Sequence, residues 1–452
     1  MPHASVQFLG GVREIGGNKI VLSYGPDRVL FDFGPAFDPR MEEFYFEFLQ
    51  PRTASPVKDL LEFDLLPWID GLYSREALGG IENRYSPPQF QAVFVSHAHA
   101  DHAGHLRLID PEIPIYTSAG TKLILDSNHA TSPSLSYGEH PWHPLSPAQP
   151  VRVGSIEVVP YPVDHSVPFA QGFLVRTPEG SAVYTGDFRA HGTRAELTRK
   201  FLSAARASPP DALIIEGTRA GPDARKNFSE EGVRAAAGKL LAETHGLALV
   251  SCYPRDVDRL LSLHAAAKAA GRTLVVPAKT AYLLNALSEH QGWNLPRLGS
   301  DPNFAVYRRS KKRLYNWEKP LLDTALDAEE VHRRGRELLL LLDLWQFNEL
   351  IDIRPEPGTP FIRSMSEPFS EEEPNDLVLR NWLTHFDLRL HQMHASGHCS
   401  ETELLEICSE LKAGSVFPIH TQHPEAFEGV PGHCRSPTKG QRYRLDTGEE
   451  VA

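Results

Sequence analysis

Several short apolar runs in this 452-residue chain end on a histidine or an acid. Residues 92–96 (AVFVS) lead into His97, His99, Asp101 and His102; 156–161 lead to His165; 182–185 lead to Asp187; VFPI leads to His420. ALIIE at 212–216 closes on Glu216 itself. Such runs read as buried strands. Polar residues that close several strands belong at one sheet edge, where α/β proteins place their sites. That pattern restricts the chain to folds in which distant strands share an edge.

The rest of the sequence is organised around those strands. The first hundred residues read as β-rich, with strands at 6–9, 19–23 and 29–33 broken by Gly and Pro-Asp turns. Segment 35–89 differs, with aromatics Phe44, Tyr45, Phe46, Phe48, Trp68 and Tyr73 and several prolines, and reads as an excursion with its own short helices. Strands are also predicted at 151–153 and 172–177. From about 228 the pattern alternates: a helix with Ser229 as N-cap, a strand at 247–252, a helix closed by Gly271, a strand at 273–278 and a helix at 282–290. Strand–helix alternation predicts a parallel α/β unit inserted into a β-rich body. After about 360 the chain reads β again (387–398), then a helix at 401–411 and a strand running into His420.

Length allows two to three domains' worth of sequence. The formal charge of −12 argues against a bulk polyanion binder but leaves room for a local basic groove. RRSKKR at 308–313 and HRRGR at 332–336 are the densest basic runs, readable as phosphate contacts or as solvated faces. Cys252, Cys399, Cys408 and Cys434 show no CxxC spacing and read as free thiols of a reducing compartment. With no apolar run of about 18 residues and no basic-then-apolar start, no membrane association is expected and the cytoplasm is the expected location.

HxHxDH at 97–102 carries the strongest chemical signal. Imidazoles and a carboxylate are donors suited to a borderline metal such as zinc. Three histidines and an aspartate at this spacing rarely occur as a plain surface loop. Taken alone, Asp187 also reads as a turn residue and His165 as a core histidine; the cluster at 97–102 turns both toward ligand roles. His3, His245, His264 and His290 fit no such pattern.

Together these residues resemble the metallo-β-lactamase superfamily, and within it the β-CASP nucleases. LGGVREIGGN resembles the start of RNase J; VLFDFG supplies a first acid, Asp32; HAHADH, DHS and TGD supply the next three motifs. LIIEGT, HASGHCSETELLE and FPIHTQHPEAF resemble the branch's motifs A, B and C, so the match spans about residues 5–427 in family order. The resemblance implies an αββα sandwich from 1–220 completed by 386–452, with 221–385 as an inserted α/β cap and the active site in the cleft between them. It implies two divalent ions, zinc in the first place with manganese as the substitute. His97, His99 and His165 would hold one, Asp101, His102 and His420 the other, with Asp187 bridging. Asp101 would accept or orient the water proton, and His398, paired with Glu216, would donate to the phosphate or leaving group; Glu216 also reads as a helix-start acid. Histidine at motif C implies RNA, single-stranded by preference. HASGH makes His394 and Ser396, with His398, candidate phosphate ligands, or else a polar turn that positions His398. The implied activity is 5′→3′ exonuclease with endonuclease activity beside it. A DNA nuclease of the same branch, a small-ester hydrolase and a non-catalytic RNA-binding protein are the rivals. RNase J's C-terminal domain is expected to be missing after motif C, which leaves a homodimer open; segment 35–89 reads as a cleft cover or a partner contact.

Overall fold

Side chains alternate between the two faces of a strand, and this chain uses both faces. The computed structural model describes residues 3–37, 39–45, 48–222, 227–288, 293–366 and 374–451. Among these, one sheet has eight strands, in spatial order Glu450–Val451, Arg442–Arg444, Ala4–Gly10, Lys19–Tyr24, Asp27–Phe31, Ala92–Phe94, Ile115–Ser118 and Trp142–Leu145. A second has seven: His433–Cys434, Ser415–Ile419, Ala212–Glu216, Gly180–Tyr184, Gln171–Thr177, Ile156–Pro162 and Val151–Val153. Val6, Phe8, Ile20 and Phe31 of the first meet Val158, Phe173, Ile214 and Phe417 of the second in one buried cluster.

Residues one step out of phase face outward and are covered. Leu174, Val183, Leu213 and Ile215 pack under Phe201 and Leu202 of helix Ala195–Ala207 and Leu404 and Ile407 of helix Glu401–Leu411. Val21, Leu30 and Val93 pack under Ile124 and Leu125 of helix Ala119–Thr131 and under Val57, Leu60, Leu72 and Leu78. The layering is αββα, as the family resemblance implies. Segment 35–89 does form short helices, Pro39–Phe44 and Pro56–Glu62. From Val57 onward its apolar side chains roof the outer face of the first sheet. Phe46 lies outside the described residues.

The third sheet has six strands, all parallel: Phe304–Tyr307, Thr273–Pro277, Leu338–Leu341, Ala248–Cys252, Pro360–Ser364 and Arg389–Gln392. Parallel neighbours need long crossovers, supplied in part by helices Val257–Ala269, Ala278–Ser288 and Pro374–His385. Helix Glu230–Glu243, which leads into this sheet, begins at Ser229, whose Oγ accepts the Gly232 N–H at 3.1 Å. Predicted helix 282–290 starts earlier, at Ala278, and its last two residues, with His290, lie outside the described residues. Only Arg389–Gln392 of the run 387–398 is a strand, and it is the edge of this third sheet. The return to the sandwich therefore falls after 392 rather than at 386. Ala212–Glu216 pairs in parallel with Ser415–Ile419, Glu216 opposite Ile419, so the chain leaves and re-enters the second sheet on adjacent strands.

Two strands stop short of their apolar runs for a local reason. Asp32 turns into left-handed backbone (φ 56°), which ends the first at Phe31. Its Oδ1 then accepts the Ser96 N–H at 2.7 Å, which takes that N–H out of the ladder beyond Val95.

Candidate metal centre

The strand ends at Asp32, His97, Asp187, Glu216 and His420 meet at one place. Close approach there depends on Gly34, because a Cβ at that position would lie 2.2 Å from the Asp101 carbonyl carbon. His420, like Asp32, has left-handed backbone (φ 53°) and is held there by its N–H to Gly11 O at 2.7 Å. Left-handed non-glycine residues concentrate at functional sites.

Hydrogen bonds around the rim decide which ring nitrogens face inward. Ser96 Oγ donates to Asp32 Oδ2 at 2.8 Å, so it accepts from His97 Nδ1 at 2.9 Å and His97 Nε2 keeps its lone pair. His102 Nδ1 donates to Asp32 Oδ2 at 2.8 Å, and His165 Nδ1 donates to Gly397 O at 2.6 Å. Carboxylates and carbonyls that fix an imidazole in this way are the usual outer support of metal-binding histidines. His99 Nδ1 lies 3.0 Å from His97 Nε2 and 3.1 Å from His165 Nε2. Three nitrogens on one tetrahedral zinc stand about 3.3 Å apart, so the three rings are spaced as such a ligand set would be. Asp187 Oδ2 stands 3.2 Å from His102 Nε2, 3.6 Å from His420 Nε2 and 3.8 Å from His97 Nε2. Asp101 Oδ2 is 3.0 Å from His420 Nε2.

Two groups could therefore each hold a cation: His97, His99, His165 and Asp187, and Asp101, His102, Asp187 and His420, with ligand atoms within 4.8 Å of one another. Two buried atoms argue that they fit one. Neither His102 Nε2 nor Asp187 Oδ1 has a partner in hydrogen-bonding geometry, although Asp187 Oδ2 lies close to the former. Polar atoms this deeply buried are normally satisfied, and a cation between them satisfies both.

The electrostatics of the groups differ. Burial, then the neighbouring histidines, holds His97 and His165 well below the usual imidazole range, and burial pushes His99 down to about 4. Those rings are neutral donors. Burial acts on the second group too, but there attraction between the carboxylates and the imidazoles outweighs it. Asp101 and Asp187 lie well below the usual carboxylate range, His102 lies well above the imidazole range, and His420 is raised to about 8. A cation at the second group must displace protons; at the first it meets none in the neutral range. Lowering the pH from about 8 to about 6 is expected to weaken the second ion by roughly tenfold per unit for each imidazole that must lose a proton, so by up to about a hundredfold per unit with His102 and His420 together, while the first stays bound. Metal content after dialysis across that range checks this; simultaneous loss of both ions would contradict it.

Beside the cluster, His398 Nδ1 lies 3.0 Å from Glu216 Oε1, and the other Glu216 oxygen accepts the Thr218 N–H at 2.9 Å. Glu216 is fully buried, while the His398 side chain keeps a fifth of its surface open. Ser396 Oγ accepts the His398 N–H at 3.1 Å. His394 Nε2 meets Ser366 Oγ at 3.2 Å, and burial, then Arg259, lowers its pKa to about 3. His3 and His264 pair elsewhere, with Glu179 and Asp301, and His245 is exposed.

Sequence reasoning missed the frame behind this loop. Arg189 donates to Asp164 (3.1 Å), Glu230 (3.1 Å), Asp258 (3.1 Å) and Ser396 O (3.3 Å). Arg259 donates to both Glu230 oxygens (3.0 and 2.9 Å), Ser364 Oγ (2.7 Å) and Ala395 O (2.9 Å). Both arginines are fully buried, and they join the sandwich, the cap and the 394–398 loop. Neither carries a local sequence signal. Asp32 did carry one, as the acid closing VLFDFG.

Comparison with known proteins agrees with this architecture. The β-lactamase superfamily domain matches residues 67–250. The chain is 25% identical to Ribonuclease J of Thermus thermophilus over 99% of its own length and 75% of that protein's. It is 28% identical to Ribonuclease J of Sinorhizobium meliloti (97% and 74%) and 23% identical to that of Pyrococcus abyssi (92% and 89%). A crystal structure titled as a protein of unknown function from Enterococcus faecalis V583 superposes with a TM-score of 0.79 at 26% identity, covering 98% of this chain and all of that one. With its αββα sandwich, its parallel cap and the His/Asp cluster at the strand ends, the chain has the metallo-β-lactamase fold and is RNase J-like over most of its length.

Proposed function

We propose that this chain is a metal-dependent ribonuclease that hydrolyses RNA phosphodiesters, 5′→3′ from an end and also internally. The observation that carries the reading is the pair of four-residue groups that share Asp187 beside a partly exposed His398. The Ribonuclease J relatives support RNA over DNA and over a small ester. The domains proposed are residues 1–220 with the chain's final part, and the cap from 221 until the chain leaves the third sheet.

His97, His99 and His165 would hold one divalent ion, Asp101, His102 and His420 the other, and Asp187 both. Imidazole and carboxylate donors favour zinc, with manganese as the substitute. Two bound divalent ions supply Lewis acidity toward a phosphate and its attacking water. The protein's own groups do the rest. Asp101, kept ionised by His102 and His420, orients the water and takes its proton. His398 presents Nε2 outward because Nδ1 is tied to Glu216, and it donates to a phosphate oxygen or to the leaving oxygen. Glu216 fixes the orientation of the ring. His394 and Ser396 are assigned to the phosphate at the strand's 5′ end, on a loop held by Arg189 and Arg259. RNA is the partner. No described helix is long and apolar enough to cross a membrane.

The test is cleavage of matched 5′-monophosphate RNA, 5′-triphosphate RNA and single-stranded DNA, with Asp101→Ala beside the unaltered chain. Expected are metal-dependent RNA degradation that disappears in the variant and two ions per chain by metal analysis. DNA cut with RNA left intact would overturn the substrate; equal activity in the variant would overturn the mechanism.

A further inference from the structure

One basic stretch of the cap takes no part in the site above. Residues 308–319 read RRSKKRLYNWEK, cations interleaved with aromatics. Arg308, Arg309 and Lys311 are paired with Asp327, Glu349 and Glu318. Lys312 and Arg313 are exposed and have no carboxylate partner among the described residues; Lys319 and nearby Lys279 meet only Asn316 and Ser132. Excess positive charge on a chain of net −12 marks a place for a polyanion.

The aromatics are arranged for use. Tyr315 is 61% exposed, and its ring lies nearly parallel to Trp317 (9°, centroids 6.4 Å apart). Trp317 rests edge-on against Tyr282 of helix Ala278–Ser288. Glu318, buried under the loop, accepts the Tyr315 N–H at 3.0 Å and pairs with Lys311, so the platform is pre-formed. Beside it opens a cavity of about 60 Å³ lined by Lys279, Arg309, Lys311, Trp317 and Gln346. A pre-formed aromatic face flanked by unpaired cations is how proteins hold single strands without reading sequence: bases stack and phosphates meet the charges.

We propose that Tyr315 and Trp317, with Lys279, Lys312, Arg313 and Lys319, form a second contact surface for single-stranded RNA, remote from the metal centre. The inference rests on the ribonuclease reading. The distance follows from the fold. Lys279 touches Ser132, just past the end of helix Ala119–Thr131, whose first residue follows a strand ending at the active-site edge. A helix of that length spans about 20 Å, so a short oligonucleotide at the metal centre does not reach the patch and a long strand does.

Binding is measured in the full chain carrying Asp101→Ala, with a long unstructured RNA and a short oligonucleotide, across a salt series. Tyr315→Ala and the double variant Lys312→Glu with Arg313→Glu are compared with that parent; all three side chains are exposed, so folding is not at issue. Tyr315→Ala is expected to weaken the long RNA roughly tenfold. The charge reversal is expected to flatten its salt dependence by about two ions. Neither should move the short oligonucleotide. Unchanged affinity and salt slope for the long RNA would overturn the surface alone. Failure of the parent to bind either RNA would overturn the ribonuclease reading and the surface together.

Discussion

Asp187→Asn is expected to lower RNA hydrolysis by on the order of a thousandfold and to empty both halves of the metal centre. The reason is position. One Asp187 oxygen lies 3.2 Å from His102, 3.6 Å from His420, 3.8 Å from His97, 3.9 Å from His398 and 4.0 Å from His165. Asparagine keeps the shape but removes the charge and turns one oxygen into a donor. That donor would face nitrogens that need to stay free for a cation. Metal content and rate are read on the same preparation. A variant that retains two ions and full rate would remove Asp187 as the shared ligand.

Arg259→Ala is expected to cost about 3–5 kcal/mol of stability, because it breaks a buried ion pair and leaves Glu230 with Arg189 as its remaining charged partner. Glu230 would lose both charged hydrogen bonds from this arginine, and Ser364 and Ala395 would lose theirs. Arg259→Lys is expected to recover only a small part, since one ammonium cannot reproduce a planar fork with five donors. Denaturant unfolding gives the cost. A loss below about 1 kcal/mol, the scale of an exposed pair, would mean that the network does not hold cap to sandwich.

The metal cluster was legible because each ligand closes an apolar run, and a run's end is visible in sequence. His97 and His420 are far apart in the chain yet carry the same local signature. The sandwich was legible through the family resemblance: residues 20–22 and 213–215 are all apolar, so the sequence marks buried strands but not which residue faces the inner core and which the outer. The ionic frame was not. A buried arginine such as Arg189 reads like a surface one, since only tertiary partners distinguish them. The strand Arg389–Gln392 was assigned to the wrong sheet for the same kind of reason. Its exposed Leu390 and Arg389 carry no mark of the neighbour they pair with. Segment 35–89 reads as an excursion because its apolar residues follow no single period, though from Val57 they roof the sandwich.

The adjacency of Ala212–Glu216 and Ser415–Ile419 has a consequence for biosynthesis. Domains fold largely as they emerge, amino end first, and contacts between distant residues form late. His97, His99, His165 and Asp187 are all made before the cap, whereas His420 comes only after it. The second cation site is completed when the strand ending at Ile419 docks beside the strand ending at Glu216. On the proposed ligand assignment, a nascent chain therefore lacks its full donor set until the cap has been synthesised.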